Sequence, residues 1–196
     1  MIIGTNGYTD GLWPGLAQSI IPVVSMITAT KPLPAEIAQT ILPGRQPVAE
    51  FAGVPAYYRI DESNRMVFGW RGTLNGAIGS LNTRHLQSKA RRIFPQLGNV
   101  EWEYDWAGHV GITDHQRPML VRLGNNAYAG LGYNGRGITM ATMMGKQLSL
   151  ALAGESPGIA LRELERVRFH SFYPLGVTAR IVSGHVRDYL TKANDD

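Results

Sequence analysis

The stretch that most restricts the fold is Asn125-Asn126-Ala127-Tyr128-Ala129-Gly130-Leu131-Gly132-Tyr133-Asn134-Gly135-Arg136-Gly137-Ile138, a short apolar strand running into a glycine turn and then a helix. Four glycines fall within the eight residues 130–137. A ligand can approach a glycine backbone closely. The first N–H groups of the following helix lack partners within the helix, and its dipole places positive charge there. The segment is suited to an electron-rich ligand. The competing reading is that these glycines only make a tight strand-to-helix turn.

Gly130, Gly132 and Gly135 also satisfy G-x-G-x-x-G, and Glu155 follows about twenty residues on, as a dinucleotide fingerprint requires. That fingerprint belongs in the first strand-turn-helix of a βαβ unit, with a parallel strand after the helix. Here the helix runs into Gly154-Glu155-Ser156-Pro157-Gly158, so Glu155 is read in a loop and not at a strand end. A small dinucleotide-binding module is the weaker alternative.

At 196 residues, with 44% hydrophobic and 17% charged residues, the chain is long enough and apolar enough for a real core. A net charge of +4, scattered rather than gathered into a stripe, predicts no nucleic-acid face. With no cysteine there is no disulfide, thiolate metal site or cysteine nucleophile. His109 and His115 have only Asp114 as a nearby carboxylate, and the remaining histidines are far away, so no metal site is expected. No hydrolytic triad is expected. No apolar run approaches a membrane span and no signal peptide opens the chain, which predicts a cytoplasmic protein.

Met1-Ile2-Ile3-Gly4-Thr5-Asn6-Gly7 reads as the end of a buried strand entering a turn. Ser19 to Thr30, rich in Ile, Val and Thr, predicts a long strand, closed by Lys31-Pro32-Leu33-Pro34. Ala35 to Ile41 predicts one or two helical turns. Pro47 to Phe51, Ala56 to Ile60 and Arg65 to Trp70 predict short strands of an antiparallel meander, the last two joined at Asp61-Glu62-Ser63-Asn64. Asn82 to Leu97 predicts an amphipathic helix with Asn82 as N-cap and Leu86, Ala90, Ile93 and Leu97 inward. Val100 to Ile112 returns to strand, and Pro118 to Leu123 with Asn126 to Leu131 predict a hairpin. The helix from about Gly137 to Ala153 presents Ile138, Ala141, Gly145, Leu148 and Leu152 on one face, with Ala141 and Gly145 admitting a close neighbour. A last helix is expected over Val177 to Leu190.

Trp106-Ala107-Gly108, Gly111-Ile112-Thr113-Asp114, Pro118 and Gly130-Leu131-Gly132-Tyr133-Asn134-Gly135-Arg136-Gly137-Ile138, in that order, resemble the C-terminal half of FAD-dependent oxidoreductases of the D-amino-acid-oxidase superfamily. Glycine oxidase, sarcosine oxidase and γ-glutamylputrescine oxidase are members. Ile3-Gly4-Thr5-Asn6-Gly7-Tyr8 resembles a strand end of the family's FAD domain, with Asn6 where the family pattern usually has Ala. Tyr57-Tyr58-Arg59 followed by Met66-Val67-Phe68-Gly69 resembles its substrate-domain hairpin. The resemblance implies an α+β fold, in which a mainly antiparallel substrate-domain sheet with one packed helix joins the C-terminal strand-turn-helix of an FAD-binding α/β domain. The expected divisions are 1–17 (end of the FAD-binding domain, incomplete), 18–123 (substrate-binding sheet), 124–160 (strand-turn-helix) and 161–196 (helical tail). The family's N-terminal βαβ unit does not precede Met1 in this sequence, so a truncated C-terminal portion is expected.

By resemblance, the cofactor is FAD, held by Gly4, Thr5, Gly132, Tyr133, Asn134, Gly135, Arg136, Gly137 and Ile138, the later set beneath the flavin ring. Gly4 and Thr5 are otherwise an ordinary strand-ending turn. Tyr57 and Arg59 share a strand face, and Trp106 and His109 flank a strand end that would face the flavin. These four are the substrate candidates, Arg59 for a carboxylate and Tyr57 as a pocket wall. A surface Arg59 and a structural His109 are the alternatives. Relatives that oxidise amino acids carry an Arg near the position of His109, so an amine is favoured. The implied reaction is hydride transfer from an amine or amino acid to the flavin, with no side chain assigned as catalytic base, and the isolated chain is expected to bind FAD weakly and to be inactive. A missing flavin-binding half is the expected partner. The alternatives are a non-catalytic interaction subunit and one half of a split flavoenzyme.

Overall fold

A computed structural model describes residues 1–72 and 82–193, with side chains described through Gly184. In chain order the elements are β1 (Ile2–Ile3), β2 (Ile21–Thr30), α1 (Ala35–Ile41), β3 (Val48–Ala49), β4 (Tyr57–Ile60), β5 (Met66–Arg71), α2 (Arg84–Ile93), β6 (Trp102–Ile112), β7 (Met119–Gly124), β8 (Ala127–Leu131), α3 (Gly137–Leu152), β9 (Leu161–Glu163) and α4 (Tyr173–Ala193). None of the described helices is long and apolar enough to cross a membrane. The chain divides into two compact units, one of residues 1–23 with 109–173 and one of 24–108 with 174–196.

In the first unit the strand order is β1-β8-β7-β9. β7 and β8 form the antiparallel hairpin, while β1 lies parallel to β8 and β9 parallel to β7. Met-Leu-Val and Ala-Tyr-Ala-Gly-Leu are unbroken apolar runs because both sheet faces are covered. Met119, Val121, Ala129 and Leu131 pack with Ile3, Leu16 and Ile20 on one side. Leu120 and Tyr128 pack with Tyr133, Met144, Leu148 and Ala151 on the other.

α3 is where expected, but its inward face is not. Met144, Leu148 and Ala151 are buried with Met140 and Met143 against them, whereas Ile138 is 94% exposed and Ala141, Gly145 and Leu152 face outward. The helix is rotated by roughly a quarter-turn from the predicted face. Methionines, which fill irregular gaps, form the packing stripe in place of the branched residues. A Cβ at Gly145 would meet nothing within 4 Å, so no neighbour approaches it. β9 falls in a segment expected to belong to a helical tail; with three residues it is too short for periodicity to register.

In the second unit the five-stranded order is β3-β4-β5-β2-β6. β4 pairs antiparallel with β5 and β5 with β2, in the registers Tyr57↔Gly69, Ile27↔Gly69 and Ser25↔Arg71. One face carries Met26, Ile60, Met66, Phe68 and Trp70 onto Leu86 and Ala90 of α2 and onto Ala38 and Ile41 of α1. Burying Phe68 alone contributes about 1.5–3 kcal/mol. The predicted helix over 82–97 is broken: α2 ends at Ile93, and Pro95 forces Phe94 out of helical geometry before a 3₁₀ turn at Pro95–Leu97. The N-cap position is Thr83 rather than Asn82, and its hydroxyl donates to Asp105 instead of capping the helix.

Candidate functional site

In the first unit the chain leaves β8 at Leu131 and reverses through three left-handed residues before α3 begins. Gly132 has φ +73° and Gly135 φ +82°, with Asn134 between them at φ 50°. A non-glycine residue costs about 1–2 kcal/mol in that region, least for Asn. Asn134 ties the turn together. Its N–H donates to the Gly111 carbonyl at 3.1 Å, its Oδ1 accepts from the Thr113 N–H at 3.0 Å, and its Nδ2 donates to the Gly132 carbonyl.

The strand-end segment predicted near the cofactor is brought to the same place. Asn6, itself at φ 45°, accepts the Gly132 N–H on Oδ1 at 2.9 Å, a contact spanning most of the chain. Gly4 is exposed, with nothing within 4 Å of where a Cβ would stand. The Thr5 hydroxyl pairs with that of Thr9 at 2.8 Å. Tyr133 is buried, its hydroxyl donating to the Gly130 carbonyl at 3.2 Å, and burial pushes its phenol above the usual range.

The start of α3 is left open. Arg136 stands at the N-cap without a side-chain cap, and the first turn carries no acidic residue. The amides of Gly137, Ile138 and Thr139 therefore have no intrahelical acceptor, and residues 135–139 are exposed. A Cβ at Gly135 or Gly137 would meet nothing within 4 Å. The Arg136 guanidinium donates to the Gln116 carbonyl at 3.0 Å. A cation at a helix N-terminus opposes the dipole, and an acidic residue there would stabilise the helix. The sequence does the reverse of what the helix alone favours, which fits an electron-rich ligand supplied from outside.

The substrate candidates are distributed over both units. In the second, Tyr57 and Arg59 lie on the β4 face turned away from the core. Tyr57 lies flat over Gly69, where a Cβ would fall 2.0 Å from its ring, and its hydroxyl meets Ser25 Oγ. Burial raises its phenol pKa, the Ser25 hydrogen bond opposing this in part. Arg59 is exposed. Trp106, also exposed, belongs to the second unit, and His109 to the first. Their odd spacing along β6 turns them to opposite faces. His109 donates its N–H to the Tyr8 hydroxyl at 3.2 Å, and the two rings meet edge-on at 5.3 Å.

The first unit thus sets an uncapped, exposed helix start after β8, and Gly4 at the strand end is open in the same way. A family model for FAD dependent oxidoreductases, DAO, matches residues 1–150. The chain belongs to that family, whose cofactor is FAD. It is 28% identical over 167 residues to the probable oxidoreductase OrdL of Haemophilus influenzae, a match covering 83% of this chain and 38% of that protein. It is 29% identical over 158 residues to the γ-glutamylputrescine oxidoreductase of Escherichia coli, covering 80% and 37%. Among solved structures, iminodiacetate oxidase from Chelativorans sp. BNC1 matches with a TM-score of 0.59 at 18% identity, over 77% of this chain and 42% of that one. Glycine oxidase from Geobacillus kaustophilus matches at 0.57 and 18% identity, over 78% and 41%. These structures share a mixed α/β fold with this chain. The chain spans less than two fifths of the length of the two curated relatives it matches.

Sequence reasoning missed Asn6 as the residue that joins the two glycine segments. Its only sign at Asn6 was the departure from the family's alanine.

Proposed function

We propose that this chain supplies the flavin-ring end of the cofactor site, and a substrate-facing sheet, to an FAD-dependent oxidoreductase acting on an amine or amino acid. The observation that carries the reading is the start of α3: uncapped, free of acidic residues, flanked by Arg136, and bordered by glycines with open space beside them. When bound, FAD would accept a hydride from the carbon beside a neutral amine, leaving an iminium for water to hydrolyse.

The chain's own residues have simpler tasks. The amides of Gly137, Ile138 and Thr139 direct positive partial charge at the edge that gains negative charge on reduction. Arg136 adds a formal cation, and Gly132 and Asn134 fix the turn that aims them. Gly4 and Thr5 lie on the strand end nearest in sequence order to the adenosine-phosphate part, the assignment the family pattern gives them. Tyr57 walls the substrate surface, with Arg59 on the same strand face as a further contact. The E. coli relative's name, γ-glutamylputrescine oxidoreductase, supports an amine.

The expected partner is the flavin-binding part of the family's fold, in the same polypeptide or a separate one. Mixed with FAD alone, the 196-residue chain should show no stoichiometric flavin spectrum. Co-expressed with the N-terminal region of the E. coli relative that this chain does not match, it should acquire flavin and show amine-dependent bleaching. Ile138→Glu separates a ligand site from a mere turn. An exposed carboxylate there should stabilise the free chain by about 0.3–1 kcal/mol while weakening flavin capture. Tight flavin binding by the chain alone refutes the divided site, and undiminished flavin capture by Ile138→Glu refutes the role of α3.

A further inference from the structure

Two asparagine–glycine steps fall among the described residues, Asn6-Gly7 and Asn134-Gly135, both in the first unit. Such a step is chemically labile because glycine has no side chain to shield its amide nitrogen, which can close a five-membered ring on the side-chain carbon of the asparagine before it. The two steps stand in opposite surroundings.

At Asn134-Gly135 three features favour ring closure. Gly135 is exposed, a Cβ on it would meet nothing within 4 Å, and its N–H donates to no acceptor among the described residues. Asn134 Oδ1 accepts from the Thr113 N–H at 3.0 Å, with the Thr113 hydroxyl 3.4 Å away. That oxygen is the atom that gains negative charge as the ring closes, so the Thr113 amide stands where an oxyanion hole would place a donor. The start of α3, with Arg136 at its N-cap and no acid in its first turn, adds positive potential beside Gly135 and eases loss of its amide proton. One contact opposes the reaction: Nδ2, the leaving nitrogen, is held by the Gly132 carbonyl.

Asn6 shares only the polarised oxygen, its Oδ1 accepting the Gly132 N–H at 2.9 Å. Gly7 is buried, and a Cβ on it would fall 2.5 Å from the His109 carbonyl oxygen. Solvent base is kept from its amide, and a carbonyl oxygen beside it disfavours an amide anion.

We infer that Asn134 is a site of spontaneous deamidation promoted by the fold itself, and that its conversion to an acid closes the start of α3 to an electron-rich ligand. Gly135 N gives its proton to solvent base and bonds to Asn134 Cγ. The Cγ–Nδ2 bond breaks, and Nδ2 takes up a proton and leaves as ammonia. Water then opens the resulting succinimide at either carbonyl, giving an aspartyl or an isoaspartyl residue at position 134 with no change of oxidation state. The aspartyl product has no donor for the Gly132 carbonyl, and the isoaspartyl product lengthens the main chain of the turn. Both bring a negative charge to the place where positive potential is directed at a ligand. This second half rests on the reading of α3 as the flavin-ring end of the site.

The test of the reaction needs no flavin, so its failure is separable from failure of the oxidoreductase reading. The folded chain is kept at mildly alkaline pH, digested, and mapped by mass spectrometry, with isoaspartate read independently by an isoaspartyl methyltransferase. Asn134 should convert several-fold ahead of Asn6, with isoaspartate confined to the peptide that contains position 134. The rate should stay level in urea below the unfolding transition, since the folded turn carries the reaction. Conversion of Asn6 at an equal rate, or conversion of Asn134 that rises with urea in step with amide exchange of β8, overturns the inference. For the consequence, Asn134→Asp is co-expressed with the N-terminal region of the E. coli relative. It should capture less flavin than the parent, and undiminished capture overturns the second half alone.

Discussion

Substituting alanine at three glycines of the turn separates backbone strain from steric conflict. At Gly135, with φ +82° and open space around the Cβ position, only strain applies, about 1–2 kcal/mol. Gly132, with φ +73°, carries the same strain, but its Cβ would fall 2.3 Å from Thr113 Cγ2. Thr113 cannot easily turn away, because its hydroxyl donates to the Arg117 carbonyl at 3.0 Å and its N–H to Asn134 at 3.0 Å. Overpacking of this kind adds about 1–3 kcal/mol, so Gly132→Ala should cost about 2–5 kcal/mol. Gly137, at the first position of α3, has ordinary φ and no neighbour within 4 Å, so alanine there should be neutral or favourable by up to about 1 kcal/mol. Hydrogen exchange of the β7 and β8 amides reads the opening free energy of this unit directly. Since each 1.4 kcal/mol is about ten-fold, exchange should speed roughly 5- to 30-fold in Gly135→Ala and roughly 30-fold to a few thousand-fold in Gly132→Ala. Equal effects at the two positions would refute the steric argument, and a large loss at Gly137→Ala would refute the description of an open helix start.

Asn6→Ala should destabilise the first unit by about 1–3 kcal/mol, because it leaves the buried Gly132 N–H without its acceptor; the β8 amides should exchange faster while those of β4 and β5 do not. Gly69→Ala should drive the Tyr57 ring off the sheet and break its bond to Ser25, which a shift of the Tyr57 ring resonances by NMR would report. Because burial raises the folded pKa of Tyr133 above its unfolded value near 10, the unfolded chain loses that proton first as pH rises. The contribution of Tyr133 is therefore complete below about pH 10 and falls above it. Urea midpoints measured from pH 9 upward should decline less steeply in Tyr133→Phe than in the parent, and identical slopes would count against burial of the phenol.

The elements legible in the sequence were those whose patterns are local. β2, β4 and β5 announce themselves through β-branched residues and polar turns, and the β7–β8 hairpin through two apolar runs about a polar tip. The start of α3 was legible because glycines leave a mark whatever surrounds them. Its buried face was not, since Met140, Met143 and Met144 carry less apolar weight than Ile138, yet shape rather than hydropathy decides which side fits against Leu120 and Tyr128. Asn6 was hidden for a different reason. It acts on a backbone group more than a hundred residues away in sequence, a contact no local pattern announces. That Arg59 shares a strand face with Tyr57 was legible from local spacing, but its exposure is set by the fold around it.

The apparent dinucleotide fingerprint shows how one spacing can serve another arrangement. In a true fingerprint the first glycine makes the tight turn, the second admits the pyrophosphate and the third lets helix pack on strand. Here Gly130 is still within β8, and a Cβ on it would lie 3.1 Å from Leu148 Cδ1 and 3.2 Å from the Tyr133 hydroxyl. The first glycine thus performs the packing role assigned to the third, while Gly132 and Gly135 take the left-handed turns. Glu155 follows the left-handed Gly154, and its N–H donates to the Leu150 carbonyl at 2.9 Å, closing the helix rather than ending a second strand. The order of roles is inverted relative to a phosphate-binding loop, with the packing glycine before the turn and the open glycines at the helix start. Alanine at Gly130 should therefore disturb the contact of α3 with β8 and leave the amides of Gly137 to Thr139 available. In a pyrophosphate loop the same change would distort the anion site itself. The ratio of stability lost to flavin affinity lost across Gly130→Ala and Ile138→Glu distinguishes the two arrangements, the first variant losing stability at little expense of affinity and the second losing affinity alone.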